Sequence, residues 1–142
     1  MMFTPLDKKG RMKMPLERKP FETDRAPINT LPYSQAIIAG DFLYTSGQVP
    51  VDPKTGQLVP GGIRPQTQQV MENIKAIVKD AGSSMGRVVK MTVYLHNSAD
   101  FEAVNNIYTD YFPEPRPARS TVGAELRADR LVEMDAVAVI GP

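Results

Sequence analysis

Two stretches of helical periodicity, each closed by a residue that ends helices, alternate in this chain with stretches of period two. From Pro65 to Ala81, apolar residues recur at Val70, Ile74, Ile77, Val78 and Ala81, which is one face of a helix. Pro65 suits the first turn, and Gly82 the left-handed position after the last. From Ser98 to Phe112, Phe101, Val104, Tyr108 and Tyr111 keep the same period. Ser98 reads as the N-cap, Asp100 and Glu102 complement the first turn, and Pro113 stops the helix.

The period-two stretches supply strands. In Val88–Leu95, Val89, Met91, Val93 and Leu95 share one face, opposite Lys90, Thr92 and Tyr94. In Leu131–Ile140, Val132, Met134, Ala136, Ala138 and Ile140 face one way. Ser120–Leu126 is a shorter strand, and Gln35–Ile38 and Phe42–Thr45 are two more, hinged at the turn-favouring pair Gly40-Asp41. Pro50 to Gly62 reads as a loop by its proline and glycine content. The predicted order is ββαβαββ, an α/β (α+β) fold with a mixed sheet and both helices on one face.

Composition narrows the chemistry. A chain of 142 residues is one domain's worth and needs no disulfide or metal to build a core. The absence of cysteine excludes a disulfide scaffold, a thiol nucleophile and every cysteine-based zinc or iron–sulfur site. A single histidine, His96, gives little support to a histidine-rich metal site or a nucleophile triad, and it reads as a turn residue. No apolar run approaches the ~20 residues of a membrane span.

Residues 1–30 carry seven Lys/Arg against four Asp/Glu, whereas residues 31–142 carry ten against twelve. A slightly acidic body argues against nucleic acid as the main partner. The basic leader lacks the apolar core of a secretory signal and the acid-poor, serine-rich character of a mitochondrial transit peptide. The expectation is a cytoplasmic protein. Lys8, Lys9, Arg11 and Lys13 keep a mitochondrial destination open.

Glu133 and Asp135 fall on the same strand face as Leu131, Val137 and Val139. Either that face is open to solvent and both acids are surface groups, or a carboxylate is held in a semi-apolar interface with a raised pKa. Arg119 is similarly divided between a structural charge and a forked donor to a substrate carboxylate. Such charge-assisted bonds contribute ~1.5–3 kcal/mol each, with a geometry lysine cannot copy. Arg116 precedes a proline and reads as exposed. Tyr33 and Ser46 offer hydroxyls, Gly47 allows close backbone approach to a ligand, and Asn105 reads as helix surface.

Taken together, PYSQAI (32–37), SGQVPVDPKTGQLVPGG (46–62), QTQQVMENIKAIVKDAG (66–82), VVKMTVYL (88–95), DFEAVNNIY (100–108), RPARSTV (116–122) and LVEMDAVAV (131–139) resemble, in order, the reactive intermediate deaminase family, RidA/YjgF. The resemblance covers residues 20–142 and leaves 1–19 as an N-terminal extension. It implies a chorismate-mutase-like fold assembled as a homotrimer, with sites in clefts between subunits. It also implies hydrolysis of enamine/imine intermediates (2-aminoacrylate-derived 2-iminopropanoate, and 2-iminobutanoate) to 2-keto acids and ammonia, with neither metal nor cofactor.

By position, Arg119 would clamp the substrate carboxylate and Glu133 would orient or activate water. Tyr33, Ser46, Gly47 and Asn105 would line the pocket. Thr121 stands where many members have cysteine, and would act through its backbone carbonyl. Leu31 replaces a usual glycine, and the segment between Arg119 and Glu133 is one residue shorter than in many members. Two alternatives stand beside the deaminase: a non-catalytic keto-acid sensor using the same cleft, and a ribonuclease or translation inhibitor. Glu133 favours the enzyme over the sensor, because a pure carboxylate binder gains nothing from a second negative charge nearby.

Overall fold

In the computed structural model, residues 5–12 and 16–142 are described; Lys13 of the basic leader lies outside them. The main sheet is built from β1 (Arg18–Phe21), β2 (Ala36–Ala39), β3 (Phe42–Thr45), β6 (Val88–Leu95), β7 (Ala118–Gly123) and β8 (Val132–Val139). Its spatial order is β1-β2-β3-β8-β6-β7. Every pairing is antiparallel except β6 with β7, which helix α2 (Phe101–Tyr111) joins as a parallel crossover. The expected mixed sheet with two helices is what the chain adopts.

Helix α1 spans Ile63–Asp80, two residues earlier than its periodicity suggests, so Pro65 is its third residue rather than its first. Val70, Ile74, Ile77 and Val78 of α1 and Val104 and Tyr108 of α2 share one core with Met91, Val93, Met134 and Ala136 of the sheet. Burying each large aliphatic side chain there contributes about 1.5–3 kcal/mol. Both helices therefore lie on one face. The other face carries Phe42, Tyr44, Val89 and Val122, all exposed.

Several expectations need correction. The register of β6 on β8 slips between Val88 and Lys90, and this bulge turns Val88 into the core and Val89 outward at 41% exposure. Strict alternation placed Val89 inside. Asn97, not Ser98, caps the second helical segment: its side chain accepts from Ala99 N at 3.0 Å, ahead of a 3₁₀ turn at Ser98–Asp100. The fourth predicted strand, Ser120–Leu126, begins instead at Ala118 and ends at Gly123.

The stretch from Pro50 to Gly62 is not wholly irregular, because β4 (Val51–Asp52) and β5 (Gln57–Leu58) form a small hairpin. Asn73 of α1 ties this hairpin down by donating to Val49 O and Val51 O, each at 3.0 Å. Strand β1 has no counterpart in the prediction. Its sequence, RKPF, carries two cations and a proline, which only a sheet edge tolerates. It straddles residues 19 and 20, where the extension was expected to end.

Candidate functional site

Strand β8 brings the acidic candidate into place. Beyond the Tyr44–Val137 pair, the ladder between β3 and β8 is interrupted, and Ala136 N donates to the Thr45 hydroxyl at 3.0 Å instead. Pairing resumes at Gln48, which exchanges two backbone hydrogen bonds with Met134 at 2.7 and 3.1 Å. Three residues, 45–47, thus span the interval that 135–136 span on β8. This bulge lays Ser46 and Gly47 beside Glu133.

Gly47 has a task beyond the one its sequence suggested. A Cβ at this position would overlap Glu133 Oε1 and lie 3.0 Å from the carboxyl carbon. The missing side chain makes room for the glutamate.

Glu133 is half-buried on the helix-free face, opposite Tyr94. Burial pushes its carboxyl above the ordinary carboxylate range; the positive charge of Arg130 opposes that rise and Asp135 adds to it. Glu133 opens onto a cavity of about 660 Å³ that Tyr33, Ser46, Gly47, Arg127 and Arg130 help to line. The Ser46 hydroxyl donates to Ser34 O at 2.6 Å, which leaves its lone pairs free to accept. Tyr33 stands exposed at the rim. Its segment is anchored by Gln35, buried, whose side chain accepts from Thr23 N at 2.9 Å and donates to Thr23 O at 3.0 Å and Pro27 O at 3.1 Å.

Arg119 is elsewhere. It pairs with Met91 in the parallel β6–β7 ladder and so shares the helix-covered face. One guanidinium nitrogen donates to Asn105 Oδ1 on α2 at 2.8 Å. The guanidinium carbon lies 4.7 Å from the Tyr108 ring centre and 5.6 Å from that of Phe101. Phe101, Asn105 and Tyr108 are spaced by four and three on one helical face, which is why they meet a single side chain. Among the described residues the bond to Asn105 is the one hydrogen bond that the Arg119 guanidinium donates, which leaves further N–H donors of the group for a ligand.

Thr121, two residues along β7, faces the same way and is exposed. Arg116, by contrast, forms an exposed ion pair with Glu114 at 2.7 Å. Such a pair contributes about 0–1 kcal/mol.

The sequence candidates therefore fall into two groups. Tyr33, Ser46, Gly47 and Glu133 meet at one cavity, whereas Asn105, Arg119 and Thr121 lie on the opposite face of the sheet. One copy of the chain cannot bring Arg119 to Glu133.

Two further groups escaped the sequence reading. Tyr108 looked like core filler, and its 5% exposure agrees, but its ring is the platform for Arg119. Its hydroxyl is buried without a hydrogen-bond partner among the described residues, and burial raises its pKa to about 12 against the opposing charge of Arg119. The available signal was its place three residues after Asn105. Arg127 and Arg130 lie in the connection between β7 and β8, and periodicity carries no information about which way a loop turns its side chains.

Among the described residues, no cluster of three or more His, Cys, Asp or Glu side chains is arranged to hold a metal ion, and no helix is long and apolar enough to cross a membrane.

Comparison with known proteins agrees with this arrangement of elements. The family described as Endoribonuclease L-PSP matches residues 23–140. A RutC family protein of Pyrococcus horikoshii is 51% identical over 117 residues, covering 82% of this chain and 93% of that protein. The 2-iminobutanoate/2-iminopropanoate deaminase of Mus musculus is 46% identical over 127 residues, covering 88% of this chain and 93% of the relative. Among solved structures, E. coli TdcF with bound serine superposes with a TM-score of 0.81 at 40% identity, over 87% of this chain and 99% of that one. RidA from an Antarctic Psychrobacter gives 0.82 at 39% identity, over 86% and 99%. With the motifs in order, the same sheet and helices, and matches that span nearly the whole of each relative, the chain belongs to the RidA/YjgF family.

Proposed function

We propose that this chain hydrolyses imines of small 2-keto acids at a site shared between two copies, most simply within a homotrimer of chorismate-mutase-like subunits. Residues 20–142 form the acting domain. The observation that carries the reading is Glu133: a half-buried carboxyl with a raised pKa, seated over Gly47 at the wall of an open cavity. A carboxyl tuned in this direction can take and return a proton closer to neutrality than an ordinary glutamate. Similarity to proteins named 2-iminobutanoate/2-iminopropanoate deaminase supports this substrate class.

In this mechanism, Arg119 of one copy holds the substrate carboxylate through a bidentate pair, already oriented by Asn105 and Tyr108. Glu133 of a second copy faces the imine carbon across a water. The protonated imine is electrophilic as bound. Water adds to its carbon while Glu133 takes the water's proton, giving a tetrahedral carbinolamine. Glu133 returns that proton to nitrogen, and the C–N bond breaks to release ammonia. The Glu133 carboxylate takes the hydroxyl proton as the keto group forms and passes it to the ammonia, which leaves as ammonium. Ser46 and Tyr33 offer hydrogen bonds to the substrate, and Thr121 its backbone carbonyl.

The test is keto-acid release from imine generated in situ, comparing wild type with Arg119→Ala, Glu133→Ala and a one-to-one co-assembled mixture of the two variants. Each variant alone should be inactive. In the mixture each site draws its arginine and its glutamate independently, so about a quarter of wild-type activity should return. A mixture that stays dead would overturn the shared site. A wild type that binds keto acid but gives no rate above buffer would leave the cleft as a sensor.

A further inference from the structure

We propose that the cavity at Glu133 accepts imines carrying a second, distal carboxylate, and that Arg127 and Arg130 anchor it. This inference rests on the functional reading above and names a substrate class for the same site. In a single copy the cavity measures about 660 Å³, room that the substrate shares with the second copy, and both arginines line it. A substrate with one carboxylate is fully served by Arg119. It leaves two further guanidinium groups with nothing to hold.

Among the described residues neither group forms a close ion pair, although the charge of Arg130 is felt at Glu133. Arg11, Arg25 and Arg116 each pair with a carboxylate within 4.0 Å, to Asp7, Asp80 and Glu114. Neither Arg127 nor Arg130 has such a pair among the described residues. Glu125 and Glu133 line the same cavity and would be the nearest natural partners, but Glu133 is turned onto Gly47. Without the arginines, two glutamates would repel a distal carboxylate. With them, the second anion finds forked donors.

The connection that carries the arginines is built to hold a shape. Ala128 and Asp129 are consecutive left-handed residues, with φ of 55° and 58°, a conformation that costs about 1–2 kcal/mol per non-glycine residue. Buried Gln66 of α1 offsets that cost by donating to Asp129 O at 3.2 Å and accepting from Leu131 N at 2.8 Å. Arg130 N donates to Arg127 O at 3.3 Å, and His96 N donates to Leu131 O at 3.0 Å. A solvated loop with no task has no need of this buried amide clamp. Here it fixes two arginines on one cavity wall.

The experiment compares imines made in situ from aspartate and alanine by an amino-acid oxidase, 2-iminosuccinate against 2-iminopropanoate. The readout is the ratio of their kcat/KM values, which cancels any effect of Arg130 on Glu133 itself. In wild type the ratio should be at or above about one. In Arg127→Ala/Arg130→Ala it should fall about tenfold or more, with partial recovery in the double lysine variant. A wild-type ratio well below one, or a ratio unchanged in the double variant, would overturn the proposal.

Calorimetric binding of 2-oxoglutarate against 2-oxobutanoate separates this inference from the hydrolytic one. A protein that fails to hydrolyse either imine but prefers 2-oxoglutarate only while Arg127 and Arg130 are present loses the deaminase reading and keeps this one. Equal binding of both keto acids, with or without the arginines, removes it. Both side chains reach solvent, so the double variant should fold as wild type does, which circular dichroism checks.

Discussion

Arg119 and Glu133 are both charged side chains on a sheet whose neighbours are apolar, and the fold holds them in opposite ways. Arg119 is held by contact: an amide oxygen at 2.8 Å and two aromatic faces, all from α2. Glu133 is held by space: a bulge and a glycine leave a slot that its carboxyl fills. A guanidinium is a planar fork of donors, so its site can be crowded with partners that orient it. In the proposed mechanism the acid gains and loses a proton, and partial burial is what raises its pKa. A cationic clamp needs orientation, whereas a proton carrier needs a tuned environment.

The difference can be broken most sharply at Gly47. Gly47→Val should lower kcat/KM about a hundredfold or more, the scale of losing one preorganised catalytic group, because the new side chain takes the carboxyl's place. Gel filtration and circular dichroism should show the fold intact. Full activity in that variant would mean Glu133 is not held by excluded volume.

The contact side should respond less steeply. Asn105→Ala and Tyr108→Leu each remove one of several restraints on Arg119 and should cost about tenfold in activity. Tyr108→Phe, which removes only a hydroxyl without a partner, should stay within about twofold. A Phe variant as impaired as Leu would assign the hydroxyl, not the ring, the important role.

The smallest effect concerns stability. The pKa of Glu133 is raised in the folded chain, so between its unfolded value and its folded one the native state holds more protons. Its contribution to stability is thus fully present at low pH and lost as pH rises through the folded pKa. Glu133→Gln should raise the melting temperature slightly at pH 7, and that gain should vanish below about pH 4, under the ordinary glutamate value. Activity should move the other way, with the acid limb of the wild-type pH–rate profile displaced upward from the ordinary glutamate range.

Much of the fold was legible because its strongest elements are amphipathic. The α1 and α2 stripes and the inward row Val132, Met134, Ala136 and Ala138 sit where periodicity put them. What periodicity missed has no amphipathic signature: the edge strand RKPF, the two-residue strands of the hairpin, and the bulge that exchanges Val88 and Val89. Asn97 displaced Ser98 as cap because both are competent residue types, and local composition does not choose between neighbours.

The same division runs through the site. The chain's own order of residues determined the helix–strand alternation, the inward faces, and the identity of the chemical groups, since these depend on local spacing and side-chain type. Only the tertiary structure decided which groups meet. Strands distant in sequence become neighbours through the β8–β6–β7 pairing, and a side chain's face is set by register. That register sends Arg119 to one face and Glu133 to the other, gives Gly47 to the glutamate, and aims Arg127 and Arg130 at the same cavity. No local pattern encodes a relation across forty residues, because it exists only once hydrogen bonds have aligned the strands.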